Sequence, residues 1–136
     1  MTTEGYNAYR TVGTTTADPV TLTTMLYDGA LKALRRARMF AEQQETQRYF
    51  DETGRAHLIV GELLATLDME QGGELARNLS AMYVYCMRCI IEASPTDTGK
   101  LSEAERHIGR IAGAWRQATD DLRTQTAGAG AAEAVA

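Results

Sequence analysis

From Leu22 to Leu122 the apolar residues return every three or four positions and do not settle into one-by-one alternation. That is the period of a helix with one buried face, whereas a half-buried strand repeats every two residues. The chain has 2 Pro, Pro19 and Pro95, one at each end of a long stretch. Proline removes an amide donor and clashes with the preceding turn, so its absence between these positions lets helices run. The pattern therefore predicts an all-α fold.

Breaks in the period divide the chain into four predicted helices. The first opens at Asp18-Pro19, where Asp caps free amides and Pro suits the first helical position. It carries Leu22, Met25/Leu26, Gly29/Ala30, Ala33/Leu34, Ala37 and Phe40/Ala41, then fades in Glu42-Gln43-Gln44-Glu45. The second runs from Gln47 to Leu67 on Ala56, Ile59/Val60, Leu63/Leu64 and Leu67. Asp68 to Gly73 is its turn, with the paired Gly as the stop. The third runs from Gly73 to Ala93 and ends at Ser94-Pro95. The fourth runs from Thr98 to Thr124 on Leu101, Ala104, Ile108, Ile111, Trp115, Ala118 and Leu122.

Four helices joined by short loops pack most simply as an antiparallel four-helix bundle, here over residues 18–124. Residues 1–17 are Thr- and Gly-rich without a helical period, and are expected to form a flexible arm. That arm holds a small apolar cluster, Tyr6, Tyr9 and Val12. Residues 125–136 are Gly/Ala-rich and too poor in large side chains to offset chain entropy, so a disordered tail is expected.

Net charge is -4 with a pI near 5.2, opposite in sign to a nucleic-acid footprint. No apolar run approaches the roughly 20 residues that cross a bilayer, so no membrane insertion is expected. Met1 to Tyr6 has no basic region leading into an apolar core, so no cleaved secretory leader is expected. Two Cys are too few for a disulfide scaffold. These features point to the cytoplasm.

The third helix breaks the amphipathic rule. Leu75, Leu79, Met82, Cys86 and Ile90 would suffice for a core stripe, yet Tyr83, Val84, Tyr85, Met87, Cys89 and Ile91 are apolar or aromatic too. Between Asn78 and Ile91 the only charged residue is Arg88. A helix apolar nearly all round is covered on nearly all sides. Either the arm, loops or a dimer mate cover the extra face, or it is a groove for a partner's helix or extended segment. Met25, Met82 and Met87 add adaptable apolar surface.

Groups that carry catalysis are sparse. Cys86-Met87-Arg88-Cys89 has redox-pair spacing but falls in mid-helix, away from the N-terminal dipole that activates such thiols. His57 and His107 sit on different helices with no ligand spacing, so no metal site, cofactor or catalytic residue is expected. Lys32, Arg35, Arg36 and Arg38 complement the dipole near the end of the first helix, as a solvated face or as a docking point for an acidic partner.

These residues resemble the flagellar export chaperones of the FliS type over Tyr6 to Thr119. The resemblance rests on four blocks in order. They are Thr16-Ala17-Asp18-Pro19 with Met25-Leu26-Tyr27-Asp28-Gly29-Ala30-Leu31; Gly61 to Asp68; Asn78-Leu79 with Met82 to Met87 and Ile91-Glu92-Ala93; and Ala114-Trp115. Asp18 stands where the family has Ser, Met82 where it has Leu, Val84 where an acid is common and Ser94 where Asn is common. The resemblance implies a non-enzymatic cytoplasmic chaperone, monomeric or weakly dimeric. It would bind the disordered C-terminal segment of flagellin in apolar grooves, block premature polymerisation and aid delivery to the flagellar type III export apparatus. The export gate and other flagellar proteins are the further partners it implies. The groove residues expected are Leu26, Tyr27, Leu31, Tyr83, Met87 and Ile91, some of which must be core. Tyr6, Tyr9 and Val12 are expected as the cover. The rivals are a redox or metal enzyme built on Cys86 and Cys89, and a structural homodimer whose mate covers the third helix.

Overall fold

A computed structural model describes residues 18–135, with side chains as far as Thr126. Its backbone forms four helices, α1 (Pro19–Glu42), α2 (Thr46–Ala65), α3 (Gly73–Glu92) and α4 (Gly99–Val135). The arm residues Tyr6, Tyr9 and Val12 lie outside the described residues.

Each helix packs on two neighbours in cyclic order: α1 on α2, α2 on α3, α3 on α4 and α4 on α1. The neighbours run antiparallel. Along α1, Asp28 meets Arg116 of α4 and Arg38 meets Glu105. On the other edge Gly29 lies against Ile59 of α2, and Arg36 faces Glu52. This is the four-helix bundle that the periodicity predicts.

The centre of the bundle is built of small residues. Ala30, Ala33 and Ala37 of α1 and Ala56 of α2 are buried, and Leu34, Val60, Leu63, Cys86, Leu101, Ala104 and Ile108 close around them. Alanine at a helix contact lets the axes approach, because the interaxial distance follows the side chains between them. Larger rings fill the space on either side of this waist: Tyr27 and Tyr83 toward one end, Phe40 and Tyr49 toward the other.

The turns use specific backbone chemistry. Asp18 Oδ1 accepts from the Thr21 amide at 2.7 Å, and Pro19 follows in the first helical turn. That bond holds the Asp18 carboxyl below its ordinary range. The α1–α2 turn satisfies two free carbonyls, with Glu45 N–H donating to Phe40 O at 2.9 Å and Gln44 N–H to Ala41 O at 3.1 Å. These bonds place Gln44 at φ 59, in the left-handed region where glycine is favoured. In the α2–α3 turn Gly72 is required for space, since a Cβ there would sit 2.5 Å from Asp68 O. Its neighbour Gly73 is required for conformation, at φ 56.

Three expectations are corrected. The core stripe of α3 is Ala76, Tyr83, Cys86, Cys89 and Ile90, with Leu79 and Met82 half-buried and Leu75 68% exposed. Tyr83, the largest of these, turns its own face inward and swings Leu75 out. On α4, Ala112 and Thr119 are buried while Ala118 and Leu122 are exposed, as a 3.6-residue turn dictates over a long helix. The backbone of α4 continues to Val135, where a disordered tail was expected from 125. An alanine-rich segment extends a helix that is already nucleated at little cost.

Gln44→Gly tests the turn geometry. Removing the Cβ from a left-handed position should raise the unfolding free energy by about 1 kcal/mol. Urea denaturation of the two proteins measures this, and equal or lower stability of the glycine variant would refute the reading of the turn.

Candidate functional site

An apolar concavity lies toward the end of the bundle where α1 begins, α2 ends and α3 begins. It encloses about 360 Å³. Leu22 and Pro19 come from α1, Leu67 from just past α2, and Leu75, Ala76 and Leu79 from α3, while Trp115 of α4 closes one side. Among the described residues Asp68 is the one charged residue on its wall, and its carboxylate is already occupied by the amides of Glu70 and Gln71 at 3.1 and 3.0 Å.

Tyr27 and Tyr83 form the floor. They stand on diagonally opposed helices, and their hydroxyls share a hydrogen bond of 2.5 Å in the interior. Burial pushes both hydroxyls above the ordinary tyrosine value of 10.0, so both stay protonated and neutral. Trp115 leans on Tyr27 with ring centroids 6.2 Å apart, and its Nε1–H donates to Thr24 Oγ1 at 2.8 Å. Thr24 Oγ1 in turn donates to Val20 O at 3.0 Å. The tyrosine hydroxyls, the indole N–H and the Thr66 hydroxyl, which donates to Leu63 O at 2.6 Å, are thus paired within the bundle, and most of what remains for a partner is apolar surface.

A second apolar surface lies along the seam of α2 and α3. A notch of about 300 Å³ there is lined by Phe50, Thr53, Gly54 and His57 of α2 and by Ile90 and Ile91 of α3. Ile91 is 69% exposed and Phe50 52%. Val84 is also exposed, and half-buried Met87 lies against Gly61 of α2.

The expected groove residues separate into three groups. Tyr27 and Tyr83 sit at the floor of the cleft. Ile91 and Met87 belong to the α2–α3 seam. Leu31 is buried in the core and Leu26 is half-buried against it, so neither lines the cleft. The cleft walls Leu22, Leu67, Leu75 and Trp115, and Phe50 in the notch, were missed as site residues. Phe50 carries a sequence signal, a large apolar side chain off the apolar stripe of its helix, whereas Leu75 reads by period as part of the α3 core stripe. The cleft as a whole has none, because four separate chain segments build it.

The Cys-x-x-Cys pair is internal. Both thiols are free and buried. Burial, with smaller contributions from neighbouring Cys89 and Glu103, pushes the Cys86 thiol up to about 12, and burial raises Cys89 as well. A thiol held protonated is a poor nucleophile and metal ligand. Among the described residues no group of three or more His, Cys, Asp or Glu is arranged to hold a metal ion. Tyr85 instead uses its hydroxyl to donate to the Glu103 carboxylate and sets its ring edge-on to His107 at 5.7 Å, tying α3 to α4.

Two outcomes follow. Tyr27→Phe should cost about 1–3 kcal/mol in denaturant unfolding, because it strands the Tyr83 hydroxyl in the interior. The Tyr27→Phe, Tyr83→Phe double variant should recover most of that loss, and additive losses would mean the hydroxyls are not coupled. The raised values imply that the pair's contribution is intact below pH 10.0 and fades only at still higher pH. For the thiols, Cys86 and Cys89 should react with a disulfide reagent at mildly alkaline pH only as fast as the protein unfolds. Rapid labelling of the native protein would show an accessible thiolate.

Comparison with known proteins identifies the bundle. The sequence model of the family described as flagellar protein FliS matches residues 2–122. A flagellar secretion chaperone FliS of Bacillus subtilis (strain 168) is 36% identical over 126 residues, 92% of this chain and 93% of the relative. The flagellar secretion chaperone FliS of Salmonella typhimurium is 38% identical over 122 residues, covering 85% and 90%. That of Escherichia coli (strain K12) is 33% identical over 120 residues, covering 84% and 88%. An all-α bundle with an open apolar cleft, matched along nearly its whole length, places this chain in the FliS family of flagellar proteins.

Proposed function

We propose that the chain is a cytoplasmic export chaperone that binds the disordered C-terminal segment of flagellin. It keeps that segment from polymerising and helps present it to the flagellar type III export apparatus. Family membership supports the chaperone role. The observation that carries the binding role is the cleft over Tyr27 and Tyr83, an open and mainly apolar surface whose aromatic hydroxyls and indole N–H are already paired.

The chemistry suits a disordered apolar ligand. Such a segment orders on binding, at a cost of several kcal/mol. Each Leu or Ile side chain buried against the bundle returns about 1.5–3 kcal/mol, so a few anchors spread over a long path offset the ordering cost. The cleft offers one such place and the α2–α3 notch another. A chaperone that occupies the apolar faces through which its client polymerises blocks assembly by competition alone, without a nucleotide or a catalytic group. The arm residues Tyr6, Tyr9 and Val12 would cover part of the apolar surface when no client is bound. The unliganded chain would then be a monomer or a weak homodimer.

Calorimetry with a peptide of the flagellin C-terminus from the same organism tests this. The expected result is one-to-one binding with a negative heat-capacity change. Leu75→Ser, which alters an exposed wall of the cleft, should weaken binding by about tenfold or more without unfolding the bundle. Tyr9→Ala should change the affinity while leaving the thermal transition in place. Absence of peptide binding overturns the proposal, as does a stable dimer that persists with α3 at its interface in excess peptide.

A further inference from the structure

The α1–α4 edge carries a second surface of opposite character. Arg35 and Arg38 of α1 and Arg106 and Arg110 of α4 line an opening of about 410 Å³, with Gly109 in its wall. Among the described residues Glu105 is the one acid there. Its carboxylate is held by Arg35 Nε at 3.1 Å and by Arg38 Nη2 at 2.6 Å, so its charge is already divided between two guanidiniums. Arg106 and Arg110 face solvent without a carboxylate partner among the described residues. They lie four residues apart on one helix, where like charges repel. Lys32 is exposed one turn before Arg35 on α1.

This cationic edge belongs to a chain whose net charge is -4. A long polyanion such as nucleic acid would run beyond the edge and meet the acidic remainder of the surface. A short segment with a few carboxylates would stay within the field of these arginines, since screening limits that field to about 8 Å at physiological salt. The paired donors of a guanidinium match the two oxygens of a carboxylate. Among the described residues the Glu103 carboxylate, paired with Lys100, acts on Arg106 only from beyond ion-pair distance, whereas Glu105 bonds Arg35 and Arg38 directly.

We propose that the groove between α1 and α4 is a docking surface for an acidic segment of a partner protein. Carboxylates one helical turn apart on that segment pair with Arg106 and Arg110. The surface is separate from the apolar cleft and is not part of the flagellin reading.

The test uses the full-length chain and a fluorescently labelled peptide with glutamates one helical turn apart, at low and at physiological salt. Fluorescence anisotropy should show binding that weakens as salt rises. The variant Arg106→Gln, Arg110→Gln should lose about tenfold in affinity with its thermal transition unchanged. Lys100→Gln, a basic residue off this edge, should lose nothing. If the paired variant melts early, each single substitution serves in its place, because both side chains point to solvent. The proposal is overturned if the peptide does not bind at low salt, if Lys100→Gln weakens binding as much as the arginine pair, or if an RNA oligomer binds the edge as tightly as the peptide.

Discussion

The hydrogen bond between the hydroxyls of Tyr27 and Tyr83 decides what the cleft can be. It spans the diagonal of the bundle, joining α1 to α3, which are neighbours of α2 and α4 but not of each other. Two phenol rings fill the space between those helices, and one hydroxyl donates to the other. Either one alone would need a water or a new partner, since a buried unpaired polar group costs about 1–3 kcal/mol. Because the two hydroxyls meet each other, both oxygens of the floor have a partner inside the bundle. Trp115 and Thr24 repeat the device on the rim, where the indole N–H ends on a threonine hydroxyl that is itself bonded to the backbone. The surface above is left mainly apolar, able to take side chains of many shapes.

Helix number, order and approximate ends were legible in the sequence, because a 3.6-residue period broken at Glu42–Glu45, Asp68–Gly73 and Ser94–Pro95 leaves few other folds. What stayed hidden had particular causes. Periodicity selects a face only when the other faces are polar, and α3 offers no polar face between Asn78 and Arg88 beyond Ser80. Its phase was settled by packing: Tyr83 inward, Leu75 outward. On α2 the buried face begins with Tyr49, Glu52 and Thr53, residues that read as polar surface. Arg36 reaches Glu52 Oε1 from α1 at 3.7 Å, a cross-helix contact with no local signature. Gln44 takes a conformation that sequence rules reserve for glycine, because two helix-end carbonyls fix it there.

The candidate site was legible to the same depth. Tyr27 and Tyr83 stand out as tyrosines on apolar helix faces, with hydroxyls that require partners. Their being each other's partners is a property of the fold, fifty-six residues apart in the chain. Leu31 shows the converse: on α1 it is indistinguishable by period from a groove residue, yet it faces Gly109 of α4 and is buried. The cleft joins residues near positions 20, 67, 75 and 115, and only the antiparallel order of four helices brings these together.

α1 serves two unlike surfaces. Leu22 and Tyr27 in its first turns contribute to the apolar cleft, while Arg35 and Arg38, two turns on, face the cationic edge with α4. Between them its inner face is Ala30, Ala33, Leu34 and Ala37, buried against neighbours with almost no exposed area. Coupling between two sites requires an element with two arrangements that both sites bias. A waist packed this closely offers no such alternative, because interior packing resists continuous deformation. The bundle therefore carries its two surfaces as fixed patches on one rigid body. A ligand on one leaves the geometry of the other unchanged, so any influence between them has to pass through charge or through chain outside the helical core.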